Sequence, residues 1–425
     1  MSISSNQAQE ALRQLNEVSR SKSLGDNLAS IPREELLTLP SVPGEEPYSQ
    51  EGRDQRLNVL RNQLKQPLTR LGNPISDDQL NELKGNIENF VGMTEVPTGV
   101  IGPLCVNGSA AKGDFYVPLA TTEGALVASY NRGVKACRES GGVRSVCLIE
   151  SVQRSPLFRF KDLTELGRFV FWVLEQKSAF EEITSKSSKY ARLQDMTTTI
   201  EGNQLILTFE YYTGDAAGQN MVTFCTQAIC DYIIKETPQQ PKEWFIEGNY
   251  SGDKKATARS FGHVRGKKVT AEVLVPKDVV HSILKATPEK LESYWKASAT
   301  AVVQSGAIGI HGHISNGLTA IFMACGQDVA CISEASVGMT RMEVDDNGDL
   351  YACVTLPNLI VGTVGGGTHL GTQRECLEMM DCLGEGKSRK FAEICGAVIL
   401  AGELSIAAAL AMGHFSQAHQ QLGRS

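Results

Sequence analysis

Apolar residues set three to four positions apart predict helices over residues 7–17 and 53–66, and Ser76-Asp77-Asp78 caps a further helix running to Val91. Pro32, ahead of Glu34-Glu35-Leu36-Leu37, marks another helix start. Residues 41–49, with Pro43, Gly44 and Pro47, read as a linker. At Gly92 the pattern changes. Residues 96–104 are apolar but rich in turn formers, 114–119 read as a strand, and 125–137 as a helix of small and apolar residues. Residues 163–174 and 180–190 follow at helical spacing. Residues 197–200 and 204–212 alternate as two strands about the turn Glu201-Gly202-Asn203, and a helix then runs to Ile234. Residues 267–275 predict a strand; 276–285, 291–305, 316–325 and 391–412 predict helices. The longest apolar run, 397–413, is interrupted by Glu403 and many alanines. It reads as a helix packed in a core, too short and broken to span a bilayer.

With 425 residues, 41% of them hydrophobic, the chain can bury a large core and divides into two or three domains. A net charge of −7, no basic tract and few aromatics argue against nucleic-acid binding. The eleven cysteines show neither CxxC spacing nor a Cys/His ligand pattern, so no metal site is expected. Without a signal peptide they read as reduced thiols of a cytoplasmic protein.

Several stretches carry candidate chemistry. In Gly248-Asn249-Tyr250-Ser251-Gly252-Asp253-Lys254-Lys255, opposite charges adjoin in an easily turned loop. It reads as a solvated turn or as a lysine set to polarise a carbonyl. Glu123, in Thr121-Thr122-Glu123-Gly124, either compensates the dipole of the following helix or sits as a proton donor in a partly dry pocket. Asp328 follows a glycine at the end of an apolar helix, an unfavourable place for negative charge. Residues 213–221, a strand followed by glycines and a helix start, suit a dinucleotide phosphate or an ordinary turn. Gly362-Thr363-Val364-Gly365-Gly366-Gly367 also follows an apolar run, and allows close backbone approach to a ligand or a tight packed turn. Gly384-Glu385-Gly386-Lys387-Ser388 mimics the end of a P-loop but lacks its first glycine and a preceding strand, so it reads as a charged surface loop.

Taken together, TTEGALVAS (121–129), GDAAGQNM (214–221), GNYSGDKK (248–255), ACGQD (324–328), GTVGGGT (362–368) and AGELSIAAAL (401–410) resemble hydroxymethylglutaryl-CoA reductases in order and spacing, from about Glu88 onward. The likeness is to the eukaryotic-type class. It implies a two-step reduction of HMG-CoA to mevalonate and CoA by NADPH, a step of isoprenoid and sterol biosynthesis. The catalytic positions fall on Glu123, Lys254, Asp328 and His419. By resemblance Lys254 stabilises the oxyanion, Asp328 tunes Lys254 and Glu123, Glu123 supplies a proton, and His419 protonates the departing thiolate. Substrate contacts fall on Arg154, Asp253, Lys255, Lys296 and Asn316, and CoA contacts on Ser129, Asn131 and Arg132.

Cofactor contacts fall on Asp215, Gly218, Asn220, Met221 and Gly365, Gly366 and Gly367, with Ser188-Lys189 where the family holds the 2′-phosphate by Ser-Arg. Glu247 replaces a serine of the animal members, and would repel a substrate carboxylate unless paired. Residues 309–313 are richer in histidine than the family's wording. Ser425 stands near a regulatory serine of animal members. The implied fold is α+β. Residues 1–75 form a helical arm, 76–155 with 247–425 a large CoA-binding domain, and 156–246 an inserted ferredoxin-like NADP(H)-binding domain. A soluble homodimer or homotetramer with active sites between subunits is expected, without nucleic acid or membrane segment. Alternatives are a reductase of the same fold acting on another acyl-CoA and a non-catalytic CoA- or nucleotide-binding homologue.

Overall fold

The structure, a computed structural model, describes residues 39–413 together with Gln9 and Arg13. The chain divides into two compact units, 1–94 and 95–425. In the first, α1 (Gln50–Leu64) starts on Ser49, whose hydroxyl accepts from Gly52 N at 2.9 Å. Arg56 of α1 is fully buried and donates to the carbonyls of Pro43, Glu45, Pro47 and Phe90, so the expected linker is tied to the helix. Ser76 and Gln79 form a capping box on α2 (Asp77–Glu82). This helix is much shorter than predicted. Leu83 N turns back to Leu80 O, and Gly85 adopts φ 81°, which ends the helical path.

In the second unit, β1 (Thr98–Asn107) pairs antiparallel with β2 (Lys112–Ala120). The turn-rich 96–104 stretch is thus mostly strand. Its glycine and proline produce a register shift between Ile101 and Leu104, where Gly102 has φ 136° and Pro103 has no N–H to donate. The chain continues through α3 (Leu126–Glu139), β3 (Arg144–Arg154), β4 (Leu157–Arg159), α4 (Leu163–Glu175), α5 (Lys177–Ser187), β5 (Arg192–Glu201), β6 (Gln204–Tyr212), α6 (Gln219–Glu236) and β7 (Glu243–Phe245). Next come β8 (Gly266–Val275), α7 (Pro288–Ser305), α8 (Ile314–Ala324), β9 (Met339–Val344), β10 (Leu350–Leu359), α9 (Gly371–Met379) and α10 (Ser388–Ala411). Of the β9–β10 hairpin the pattern gave only the apolar run 356–361 ahead of the glycines, which overlaps the end of β10; β9 was not read.

An antiparallel sheet runs β7-β4-β6-β3-β8-β10-β9, with β5 added on β6. β3 joins two cores: Arg144–Ser151 pair with β8, and Val152–Arg154 with β6. One core lies around α10. The other, rich in phenylalanine, is built from residues between Val152 and Ile233. α10 is long and apolar enough to cross a membrane, because it begins nine residues before the apolar run, yet 83% of its most apolar window is buried in this fold. Its small residues let α3 come close: a Cβ on Gly133 would lie 1.8 Å from Ala401 O. Gly133→Ala is therefore expected to destabilise the fold by about 2–3 kcal/mol, read as a lower urea midpoint. An unchanged midpoint would show that α3 and α10 separate freely.

Candidate functional site

In the turn carrying Asp253-Lys254-Lys255, Asn249 (φ 60°), Gly252 (φ 80°) and Lys254 (φ 56°) all take left-handed conformations. For lysine this stores strain of about 1–3 kcal/mol, which its surroundings must hold. Lys254 Nζ lies 2.9 Å from Asp328 Oδ2, both side chains being half-exposed. Asp328 Oδ1 also accepts from Ala330 N at 3.0 Å, capping the turn Val329–Cys331. The charge that looked misplaced behind α8 thus serves the next turn and the lysine. The Asp328 hydrogen bond raises the Lys254 pKa above its ordinary value, so the ammonium is retained at neutral pH.

Below the turn lies a buried charge network. Glu334, 0% exposed, accepts from Lys254 N at 2.9 Å, and its other oxygen lies 3.2 Å from Arg265 Nε. Arg265, 1% exposed, donates through Nη2 to Asp253 Oδ1 and to Gln219 Oε1. Asp253 Oδ2 accepts from Arg154 Nη1 at 3.0 Å. Burial pushes the Asp253 carboxyl up, but Arg265 and Arg154 more than offset it, leaving its pKa low. Burial outweighs Arg265 at Glu334, which is pushed up to about 7. Arg154 is engaged further by Thr223 Oγ1 at 2.9 Å and by Gln219 O. Glu247 accepts from Ser155 N, Tyr250 N and Ser251 Oγ at 3.1–3.2 Å and lies 3.8 Å from Arg154. It is paired, and it ties down the start of the turn. Lys255 Nζ donates to Asp253 O at 2.8 Å.

A second group forms at the start of α8. Glu123 does not cap α3, which begins behind Ala125 (φ 68°) with no side-chain cap. Its carboxylate instead accepts from Asn316 Nδ2, at 3.1 Å on the closer oxygen. Glu403, from the middle of α10, takes Gly312 N at 2.6 Å, His313 N at 2.7 Å and His313 Nδ1 at 3.1 Å. His313 stacks on Tyr130 of α3, with ring centroids 5.4 Å apart. A cavity of about 400 Å³ is lined by Glu123, Ser129, Arg132, His313 and Asn316, with Leu410 at its side, but not by Lys254 or Asp328. Ser405 holds Ser129 at 2.9 Å and Arg132 at 2.7–3.0 Å. Asn131 Oδ1 accepts from Gly102 N. Lys296 joins neither group; it pairs with Glu292 on its own helix.

Three glycine-bearing segments converge behind β6. Asp215 accepts from Gly386 N at 2.8 Å and Ser388 N at 3.0 Å, while Thr363 N donates to Asp215 O and Gly384 N to Thr363 O. Residues 384–388 are therefore not a free surface loop; they lead into α10 and Asp215 caps them. A Cβ on Gly362 would lie 2.5 Å from Ala217 N, so only glycine permits this closure. α6 begins on Gly218 (φ 78°) with no side-chain cap, leaving its first turn open to an anion. Asn220 of that turn is exposed, and Met221 packs on the second core. Gly365, at φ 71°, starts the short turn Gly366–His369. Ser188 Oγ accepts from Tyr190 N and Ala191 N, beside the exposed Lys189.

Among the described residues no cluster of histidine, cysteine or carboxylate side chains suits a metal. His419 and Ser425 lie outside the described residues. Glu334, Arg265, Glu403 and Tyr130 were not anticipated as site residues. Glu403 left a trace, as the charge that interrupts an apolar run; the others left none that spacing reveals.

A profile of the hydroxymethylglutaryl-coenzyme A reductase family matches residues 52–424. The 3-hydroxy-3-methylglutaryl-coenzyme A reductase of Pyrococcus abyssi is 45% identical over 81% of this chain and 86% of its own. That of Methanocaldococcus jannaschii is 41% identical over 82% and 87%. Reductase 2 of Gossypium hirsutum is 38% identical over 91% of this chain and 63% of its own. In fold, the chain is similar to a class II 3-hydroxy-3-methylglutaryl-CoA reductase from Streptococcus pneumoniae, solved bound to NADPH. The TM-score is 0.62 at 18% identity, covering 87% of this chain and 100% of that one.

Proposed function

The chain belongs to the hydroxymethylglutaryl-coenzyme A reductase family, and from that premise we propose how its residues carry the reaction. The enzyme is an oxidoreductase that reduces HMG-CoA in the mevalonate pathway with NADPH, which supplies hydride when bound. The observation that carries the assignment of roles is the Lys254–Asp328 pair on a strained, deeply anchored turn. Lys254 places a fixed positive charge where negative charge develops on the thioester oxygen. Asp328 keeps that lysine protonated and aimed. Glu123, oriented by Asn316, supplies a proton in the second reduction, and His419 protonates the thiolate that leaves.

Lys255 is the group of the triplet left to meet the substrate carboxylate, since Asp253 and Arg154 already hold each other. Ser129, Asn131 and Arg132 border the CoA path. Segment 156–246 acts as the NADP(H)-binding part, ferredoxin-like in arrangement. The uncapped start of α6 and the converging glycines suit a pyrophosphate there, and Lys189 suits the 2′-phosphate. The Glu123 cavity and the Lys254 turn are separate groups of contacts within one chain, which supports a homo-oligomer whose active sites are completed between subunits.

Purified protein is expected to oxidise NADPH on addition of HMG-CoA, two cofactors per substrate, and to release a free thiol. Turnover with another 3-hydroxyacyl thioester but not with HMG-CoA would overturn the substrate. No turnover with any would leave a CoA- or nucleotide-binding homologue.

A further inference from the structure

Asp328 and Glu334 stand on one short segment, the turn Val329–Cys331 followed by the helical turn Ile332–Ala335. Between them they grip Lys254 twice: Asp328 takes its ammonium and Glu334 its backbone N–H, each at 2.9 Å. Arg265 completes the hold by joining Glu334 to Asp253, the residue immediately before the lysine. We propose that Glu334 and Arg265 are positioning residues for Lys254, and that a proton on Glu334 loosens the turn. This rests on the reading of Lys254 as the cation beside the reacting carbonyl.

Ionised, Glu334 accepts from Lys254 N through Oε1 and faces the Arg265 guanidinium with Oε2, which lies 3.2 Å from Nε as a charge pair and takes no hydrogen bond. Oε2 is the free acceptor, so an added proton goes there, removing the charge that holds the guanidinium and setting a buried O–H beside it. Arg265 is buried, and its Nη1 and Nε have no hydrogen-bond acceptor among the described residues. Once that charge is gone it cannot shift without moving Nη2 away from Asp253 and Gln219. The displacement therefore passes to the residue before Lys254, in a turn that is strained to begin with.

The groups facing Glu334 are the Arg265 guanidinium, the Lys254 N–H, the Asp253 carboxylate and the Cys331 thiol. Burial outweighs Arg265 and the hydrogen bonds among these, so the proton is taken up near neutrality, at about pH 7. The ionised form is the one that holds the turn. Turnover should therefore fall as pH drops through that value.

Glu334→Gln is the test, because an amide presents a donor to Lys254 N or to Arg265 at every pH. It is expected to lower kcat by about 10–100-fold. It should also abolish the acid limb near neutrality and leave the KM for NADPH unchanged. Glu334→Asp, which keeps the charge, should recover part of kcat and the limb. A second readout needs no substrate. Because the folded-state pKa of Glu334 lies above its ordinary value, the wild type should lose stability relative to Glu334→Gln as pH rises from 4.5 to about 7, and no further above it. A Glu334→Gln enzyme with the wild-type kcat and acid limb would overturn the inference. So would a Glu334→Asp enzyme as slow and limbless as the amide, since a packing role alone would then suffice. A wild type with the expected stability profile but no HMG-CoA-dependent oxidation would overturn the functional reading instead.

Discussion

Replacing Lys254 by alanine lowers kcat for HMG-CoA-dependent NADPH oxidation by about 10²–10³-fold, the loss expected when one preorganised donor to a developing oxyanion is removed. The fold should not suffer. Lys254 is about half-exposed, among the described residues its side chain pairs only with the equally exposed Asp328, and exposed ion pairs contribute about 0–1 kcal/mol. The turn also keeps its other holds, because Glu334 grips the backbone N–H, which alanine retains. Circular dichroism and the thermal midpoint should match the wild type while turnover disappears. Lys254→Arg keeps the charge but spreads it over a planar fork too large for the Asp328 contact, and should recover little. Asp328→Asn acts in the same direction by removing the group that raises the lysine pKa. The activity it leaves should fall off at a lower alkaline pH than that of the wild type. Undiminished turnover in Lys254→Ala would show that the oxyanion is met by another group.

Most of the helices among the described residues and the β5–β6 hairpin were legible because each carries its own periodicity, whereas the helix Gly371–Met379 was not read, and the separate domain over 156–246 was expected only from the family likeness. β1 was not legible. Its Gly102-Pro103 reads locally as a turn, and only pairing with β2 across a register shift makes it a strand. The early end of α2 had a signal in Gly85, outweighed by apolar spacing on either side. In the site, Lys254 and Asp328 could be tied together only by resemblance, being 74 residues apart in the numbering, and the structure places their side chains in contact. Glu334 and Arg265 were invisible for a different reason. A buried ion is recognised by what surrounds it, and nothing in Ile332-Ser333-Glu334-Ala335 distinguishes a buried glutamate from a solvated one. The same holds for Asp215, whose carboxylate closes a loop 171 residues away that had looked like free surface.

Glu403→Ala should cost about 3–5 kcal/mol of stability, the range for breaking a buried charged contact by deleting one partner. Glu403 is fully enclosed and accepts from two backbone N–H groups and from the His313 ring, so the alanine leaves Gly312 N and His313 N buried without acceptors. Burial alone would push its carboxyl up, but His313 and the two N–H groups more than offset it and hold the pKa below 4.5. The sign follows. The contribution is fully present above the ordinary carboxylate value and is lost as pH falls through the lowered folded-state pKa, so wild type and variant should converge in strong acid. Activity should suffer as well, because Asn316 N donates to His313 O at 3.0 Å and Asn316 aims the Glu123 carboxylate. Freeing His313 loosens that chain of contacts at its base. Glu403→Gln keeps the shape and one acceptor oxygen while setting an amide N–H against a backbone donor. It should fall between the two in urea midpoint, and recover more stability than turnover. If Glu403→Ala unfolds at the wild-type midpoint, the carboxylate is not what anchors the start of α8, and the orientation of Glu123 must come from elsewhere.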